Sequence, residues 1–195
     1  MKTIYLIRHG KASLEGSDRE RGLTEEGMEH ANQIAEILKN IEPKIKIICS
    51  SPLKRAILTM EPLAKYLDIE IQIHEDLKEK ITGDTSGKNL NDEKRKMWDN
   101  FDLKLSGGES ISEASKRALS VLTLIKNELD EDGCAAVQSH GTLIGIILHH
   151  FDPSFGFDEW KNMTMPDIYK IDYDNDNTTV KHIGCDSIET FKIGN

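Results

Sequence analysis

Residues 3–10, Thr3-Ile4-Tyr5-Leu6-Ile7-Arg8-His9-Gly10, constrain the fold of this chain more than any other stretch. A run of strand-forming residues leads without polar alternation into an arginine, a histidine and a glycine. An apolar strand of that kind must be covered on both faces, as in a parallel sheet flanked by helices. In open parallel sheets, ligand sites lie just past the carboxyl ends of the strands. Arg8 and His9 therefore leave a buried strand where chemistry is usually done, and Gly10 permits a sharp turn or a close approach. The tripeptide has two readings at this point. One is a histidine held beside a fixed positive charge; the other is a strand end capped by solvated polar residues.

The rest of the chain alternates strand and helix patterns. Thr24 is a good N-cap before Glu25 and Glu26, and Met28, Ala31, Ile34, Ala35, Leu38 and Ile41 recur at helical spacing up to Pro43. Residues 45–49 read as a second buried strand. Ser50-Ser51-Pro52 opens a helix, with Pro52 near its first position and Arg55 one turn in. Ile69, Ile71 and Ile73 alternate with polar residues, as in a strand nearer an edge. Residues 77–108 are irregular, charged and glycine-bearing, with a short helix expected over 91–101; their length predicts a lid over a site. Ser110 and Glu113 form a capping-box pattern before a long helix to Leu129. A strand over 134–137 leads to Gln138-Ser139-His140-Gly141, and residues 143–148 are apolar enough for a buried helix. Ile168, Tyr169, Ile171 and Tyr173, then Val180 and Ile183, flank an Asn175-Asp176-Asn177 turn and predict a hairpin. The alternation predicts one domain over 1–195, a three-layer α/β/α sandwich with a mostly parallel sheet and an antiparallel hairpin at its edge.

Composition narrows the partners. At 195 residues one core and one domain are the default, and the formal net charge of −9 argues against nucleic acid or an anionic membrane as partner. It does not exclude a small anionic ligand. Surface charge is screened beyond about 8 Å. A cation about 4 Å from a phosphate in a partly shielded cleft contributes roughly 4 kcal/mol. Cys49, Cys134 and Cys185 are odd in number and lack C-x-x-C spacing, so they read as packing residues rather than metal ligands or disulfides. No signal-peptide pattern precedes Arg8 and no apolar run is long enough to span a bilayer; the expectation is a cytoplasmic protein. Oligomeric state is not readable.

Two strand ends carry the same signature, Arg8-His9-Gly10 and Ser139-His140-Gly141, and a third leads into Arg55. A parallel sheet brings such ends to one rim. Arginine offers a planar fork of donors to phosphate oxygens, and neutral imidazole can attack phosphorus. Backbone N–H groups near Gly141 would point at the same place. Phosphoryl transfer through a histidine also needs an acid for the leaving oxygen.

These residues resemble the histidine phosphatase superfamily, which includes the cofactor-dependent phosphoglycerate mutases. Besides the two histidine motifs, Leu23-Thr24-Glu25-Glu26-Gly27 resembles its next helix start. Ser51-Pro52-Leu53-Lys54-Arg55-Ala56 with Thr59 resembles its second arginine motif. Leu77-Lys78-Glu79 before Gly83 resembles its acid-bearing segment, and Gly107-Gly108-Glu109-Ser110 the marker before its long helix. The resemblance implies His9 as nucleophile, with Arg8, Arg55 and His140 holding the phosphoryl oxygens and Glu79 as general acid; Glu75 and Asp76 could replace Glu79. It implies a phosphatase acting on a phosphorylated small molecule without metal or other cofactor. The alternatives are a phosphoglycerate mutase, disfavoured by chain length, and a phosphohistidine or phosphoprotein phosphatase.

The chain also departs from the family. Lys11 stands where an acidic residue often follows the motif glycine, and a phosphate-binding asparagine nearby is missing. Residues 18–23 instead resemble the loop of short phosphohistidine-protein phosphatases. Arg21 is thus a candidate for the phosphate and Lys11 for a second anionic group, each against the reading of a solvated loop charge. His30, His74, His149 and His150 fit no metal spacing, and Trp98 and Trp160 read as packing anchors.

Overall fold

Thr3 to Ile7 lie wholly inside the protein, on a strand β1 spanning Lys2–Arg8. The computed structural model describes residues 1–174 and 177–185. Three further strands run parallel with β1: β2 (Ile45–Ser50), β3 (Ile71–Ile73) and β4 (Cys134–Ser139). β5 (Asp167–Asp174) and β6 (Asn177–His182) are antiparallel, and the sheet order is β3-β2-β4-β1-β5-β6. The hairpin is present; its turn residues Asn175 and Asp176, and residues 186–195 of the expected domain, lie outside the described residues.

Strand alternation divides the core into two layers. Ile4 and Leu6 face one layer with Ala135 and Val137; Tyr5 and Ile7 face the other with Cys134 and Ala136. The first layer is covered by α4 (Ile111–Glu128) and α5 (Gly141–Phe151), with α3 (Leu90–Asp99) and α6 (Phe157–Lys161) around them. The second is covered by α1 (Glu25–Leu38) and α2 (Lys54–Leu67). This is the expected α/β/α sandwich.

Local signals place most helix starts. The Thr24 side chain accepts from the Gly27 N–H, and Ser110 and Glu113 close a capping box. Two details differ from the sequence reading. Met28 is 39% exposed, off the inner face of α1, and α1 stops at Leu38, before Ile41. α2 begins at Lys54, leaving Pro52 ahead of the helix and Ser51 free to turn toward the sheet rim. Residues 77–108 are pinned at their base, where Asp84 N–H donates to the Ser106 carbonyl and Glu109 N–H to the Ile81 carbonyl. Within them α3 buries Met97 and Trp98 in the core.

Candidate active site

Strand register decides which residues meet. β1 and β4 pair in parallel with Arg8 opposite Ser139, so the next residue of each strand emerges side by side. The rings of His9 and His140 consequently lie 5.1 Å apart, centroid to centroid, edge to face. The chain leaves β2 at Ser51, beside β4, and the Ser51 hydroxyl is 2.7 Å from His140 Nε2.

His9 is 7% exposed, and its Nδ1 lies 2.7 Å from the Gly10 carbonyl. A carbonyl only accepts, so Nδ1 carries the proton and Nε2 keeps a free lone pair. Burial pushes the imidazole down to about 4; the bond to Gly10 opposes this, and the charges of Arg55, Arg8 and Arg21 assist it. His140 is fully buried with no polar partner for Nδ1 among the described residues. Burial first, then the neighbouring His9 and Arg55, hold it well below the usual imidazole range. Both shifts favour the neutral ring.

The cations are fixed by backbone oxygens rather than by carboxylates alone. Arg8 Nη1 donates to the Met163 and Thr164 carbonyls at 2.9 and 2.8 Å, and its Nε is buried without a partner among the described residues. Its guanidinium lies across the start of α5, where a Cβ on Gly141 would come within 3.0 Å of Arg8 Cζ. A side chain there would press on the guanidinium and push it aside by a few tenths of an ångström. Gly10 is needed for a different approach: a Cβ would meet the Gly27 carbonyl of α1 at 2.6 Å. Arg55 is 4% exposed and donates to the Asp18 carbonyl at 2.7 Å. The Asp18 carboxylate lies 3.3 Å from Arg55 Nη2 and also pairs with Arg21. Thr59, one turn beyond Arg55, accepts the Gly10 N–H and donates to the Arg55 carbonyl, joining the two motifs.

Glu79 sits at the amino end of α5. Its carboxylate accepts N–H bonds from Thr142 and Leu143, each 3.1 Å, and from Lys80 at 2.8 Å. Its charge is felt by both Arg8 and Arg55. Two of the α5 N–H groups expected to face a ligand are thus occupied by this side chain. Glu75 is exposed and pairs with Arg19, and Asp76 is exposed. Lys11 is exposed and turns its ammonium to Glu26 of α1, as a solvated loop charge does. The structure thus brings together Arg8, His9, Arg21, Arg55, Glu79, His140 and Gly141, and holds Lys11 elsewhere.

Asp18 and Ser51 fall inside stretches that carry the family resemblance, but their contacts with Arg55 and His140 come only with the fold; Arg117 has no sequence signal of its own. Arg117, on α4, donates to the Asp76 and Lys78 carbonyls at 2.5 and 3.0 Å and grips the Glu109 carboxylate at 2.6 Å. It ties the Glu79 segment to the body of the protein.

Paired neutral imidazoles ringed by guanidiniums at the carboxyl ends of parallel strands suit a protein that handles phosphoryl groups. The profile of the histidine phosphatase superfamily (branch 1) matches residues 4–186, and the chain belongs to that superfamily. Among curated relatives, a 2,3-bisphosphoglycerate-dependent phosphoglycerate mutase of Parvibaculum lavamentivorans is 33% identical over 132 residues, 60% of this chain and 63% of that protein. Its counterpart in Brucella ovis is 27% identical over 194 residues, 89% of this chain and 94% of that protein. The uncharacterised phosphatase PhoE of Bacillus subtilis is 28% identical over 153 residues, 76% of each chain. Bacillus stearothermophilus YhfR superposes with a TM-score of 0.74 at 25% identity, covering 94% of this chain and 97% of that one. A phosphoserine phosphatase of Entamoeba histolytica shares the fold, with a TM-score of 0.75 at 24% identity over 95% of this chain and 98% of that one. No described helix is long and apolar enough to cross a membrane.

Proposed function

We propose that the chain is a phosphatase that hydrolyses a phosphomonoester of a small molecule through a phosphohistidine on His9. The observation that carries this reading is the orientation of His9. Its Nδ1 proton is committed to the Gly10 carbonyl, so Nε2 is the free nucleophile. Its depressed pKa, about 4, keeps that nitrogen unprotonated at neutral pH. In this reading Nε2 attacks phosphorus and the bond to the ester oxygen breaks. Arg8, Arg55, Arg21 and His140 hold the non-bridging oxygens, stabilising charge that grows in the transition state. Glu79, entering in its acid form, gives its proton to the departing alkoxide, then takes one from the water that attacks phospho-His9, which restores the acid and releases phosphate. No step requires a metal or an added cofactor.

The names of the curated relatives favour one second reading, a phosphoglycerate mutase, in which the phosphoryl group passes to a bound sugar acid instead of water. A rapid-quench experiment with radiolabelled phosphoester tests both. The wild type should trap an acid-labile, base-stable label on His9 that water discharges within a turnover. His9→Ala should trap none and lose at least about a thousandfold in kcat while keeping its circular dichroism. Undiminished turnover of His9→Ala contradicts the nucleophile; discharge only on adding 3-phosphoglycerate selects the mutase.

A further inference from the structure

Asp167 is a buried acid that the reaction outlined above leaves without a task. It opens β5 as the register partner of Arg8 and is 1% exposed. Four donors converge on its carboxylate. Oδ1 accepts from the Ile168 N–H at 3.0 Å and from His182 Nε2 at 2.7 Å. Oδ2 accepts from the Thr164 N–H at 3.2 Å and from the Tyr169 hydroxyl at 3.1 Å. The His182 ring, on β6, stacks on Tyr169 with centroids 4.7 Å apart. A buried carboxylate is costly unless its lone pairs are used, and here the protein itself uses them.

One of those bonds leads to the candidate active site. Thr164 gives its N–H to Asp167 and its carbonyl to Arg8 Nη1, and its hydroxyl donates to the Pro166 carbonyl at 2.8 Å. The Met163 carbonyl takes the second Nη1 proton. Both protons of that nitrogen are thus spent on one short segment, and Asp167 ties that segment down. The guanidinium keeps two further donor nitrogens, Nε and Nη2, which make no hydrogen bond among the described residues. They form the edge that lies against Gly141, the neighbour of His140: a Cβ there would come within 3.0 Å of Nε and 3.1 Å of Nη2. Paired donors on one edge of a guanidinium suit two oxygens of a phosphoryl group.

We propose that Asp167 is a positioning residue for phosphoryl binding. It fixes the Met163–Thr164 segment, the segment holds the Nη1 side of Arg8, and the Nε–Nη2 edge is thereby turned to the substrate. His182 clamps Asp167 from the solvent side, where its own side chain is 55% exposed. The antiparallel hairpin at the sheet edge is in this way part of the phosphoryl site. The proposal rests on the phosphomonoester reading above, in its assignment of Arg8 to the phosphoryl oxygens, and adds to it the device that aims Arg8.

Binding of inorganic phosphate, followed by phosphorus NMR titration, tests this without turnover. Asp167→Asn, whose amide nitrogen cannot accept, should weaken phosphate about tenfold, and His182→Ala about threefold. His182→Gln keeps a donor and should restore most of the His182→Ala loss. The same substitutions in an Arg8→Met background should change phosphate affinity by less than about twofold, because the guanidinium they act through is gone. A merely structural role lowers affinity by the same factor in both backgrounds, and that result overturns the proposal. Unchanged affinity in Asp167→Asn does the same. Should Asp167→Asn fail to fold, the exposed His182 carries the test, and unchanged affinity in His182→Ala is then the contrary result. A wild type that binds phosphate with these responses yet turns over no ester sinks the hydrolysis reading and leaves the role of Asp167 standing.

Discussion

Below pH 6.5 His9 is held neutral where the unfolded chain would protonate it. Its folded pKa of about 4 lies below the ordinary value of 6.5. Between those values the unfolded chain binds more protons than the native one, so stability rises with pH across the window and is lost as pH falls through it. The loss amounts to about 3 kcal/mol if the whole window is crossed. His140 acts in the same direction. Denaturant unfolding at pH 7 and pH 4.5 should show the wild type losing about 2 kcal/mol more than His9→Ala; equal losses would contradict a buried neutral His9. Asp18 is a second residue with a measurable role. Burial pushes its carboxyl up, but the hydrogen bond from Arg21 and the Arg55 charge outweigh that and hold it below the usual range. It occupies the guanidiniums that a phosphate would use. Asp18→Asn should therefore tighten inhibition by inorganic phosphate roughly fivefold, about 1 kcal/mol for a largely exposed pair; weaker inhibition would mean that Asp18 aligns the arginines rather than competing for them.

At the scale of elements, the site depends on which helix and strand ends are tied together. β1 and β4 supply the histidines by register, whereas the Glu79 segment has no regular structure and is held by Arg117 of α4. Removing that guanidinium takes a donor from the Asp76 and Lys78 carbonyls and leaves the Glu109 carboxylate with the Ile81 N–H. Arg117→Met should lower kcat on alkyl phosphates about a hundredfold, with a much smaller loss on p-nitrophenyl phosphate. An activated leaving group needs little help from an acid, so the split reports misplacement of Glu79. Equal losses on both substrates, or none, would give Arg117 a structural role alone. Arg117→Lys should restore part of the activity, since an ammonium reaches fewer of these acceptors than the guanidinium fork.

For the whole molecule, β1 contributes to both layers of the core, as do β2, β4 and β5. Leu6 and Ile7 are fully buried but face opposite layers. Leu6→Ala and Ile7→Ala should each cost about 3 kcal/mol. Their side chains share no partners across the sheet, so the double variant should cost nearly the sum. Chemical denaturation measures all three; strong non-additivity would mean that the layers relax together. The acidic surface, with a formal net charge of −9, is compatible with an anion site because the cations concentrate at one rim.

The sequence by itself determined the layered α/β fold and the main strands and helices, and it offered Arg8, His9, Arg55 and His140 as candidates for one rim, with Glu79 added by the family resemblance. That was possible because apolar periodicity, caps and the two histidine motifs are local patterns, readable within a few residues. Their neighbours were not. Ser51 on His140, Asp18 on Arg55 and Arg117 under Glu79 join segments far apart in the chain. The five-residue α6 was too short to show a period. The engagement of Lys11 with Glu26 was likewise decided by the loop's path over α1. Such contacts arise only when strand register and helix packing fix distances between distant residues, and it is those distances that set charge, burial and proton position at the site.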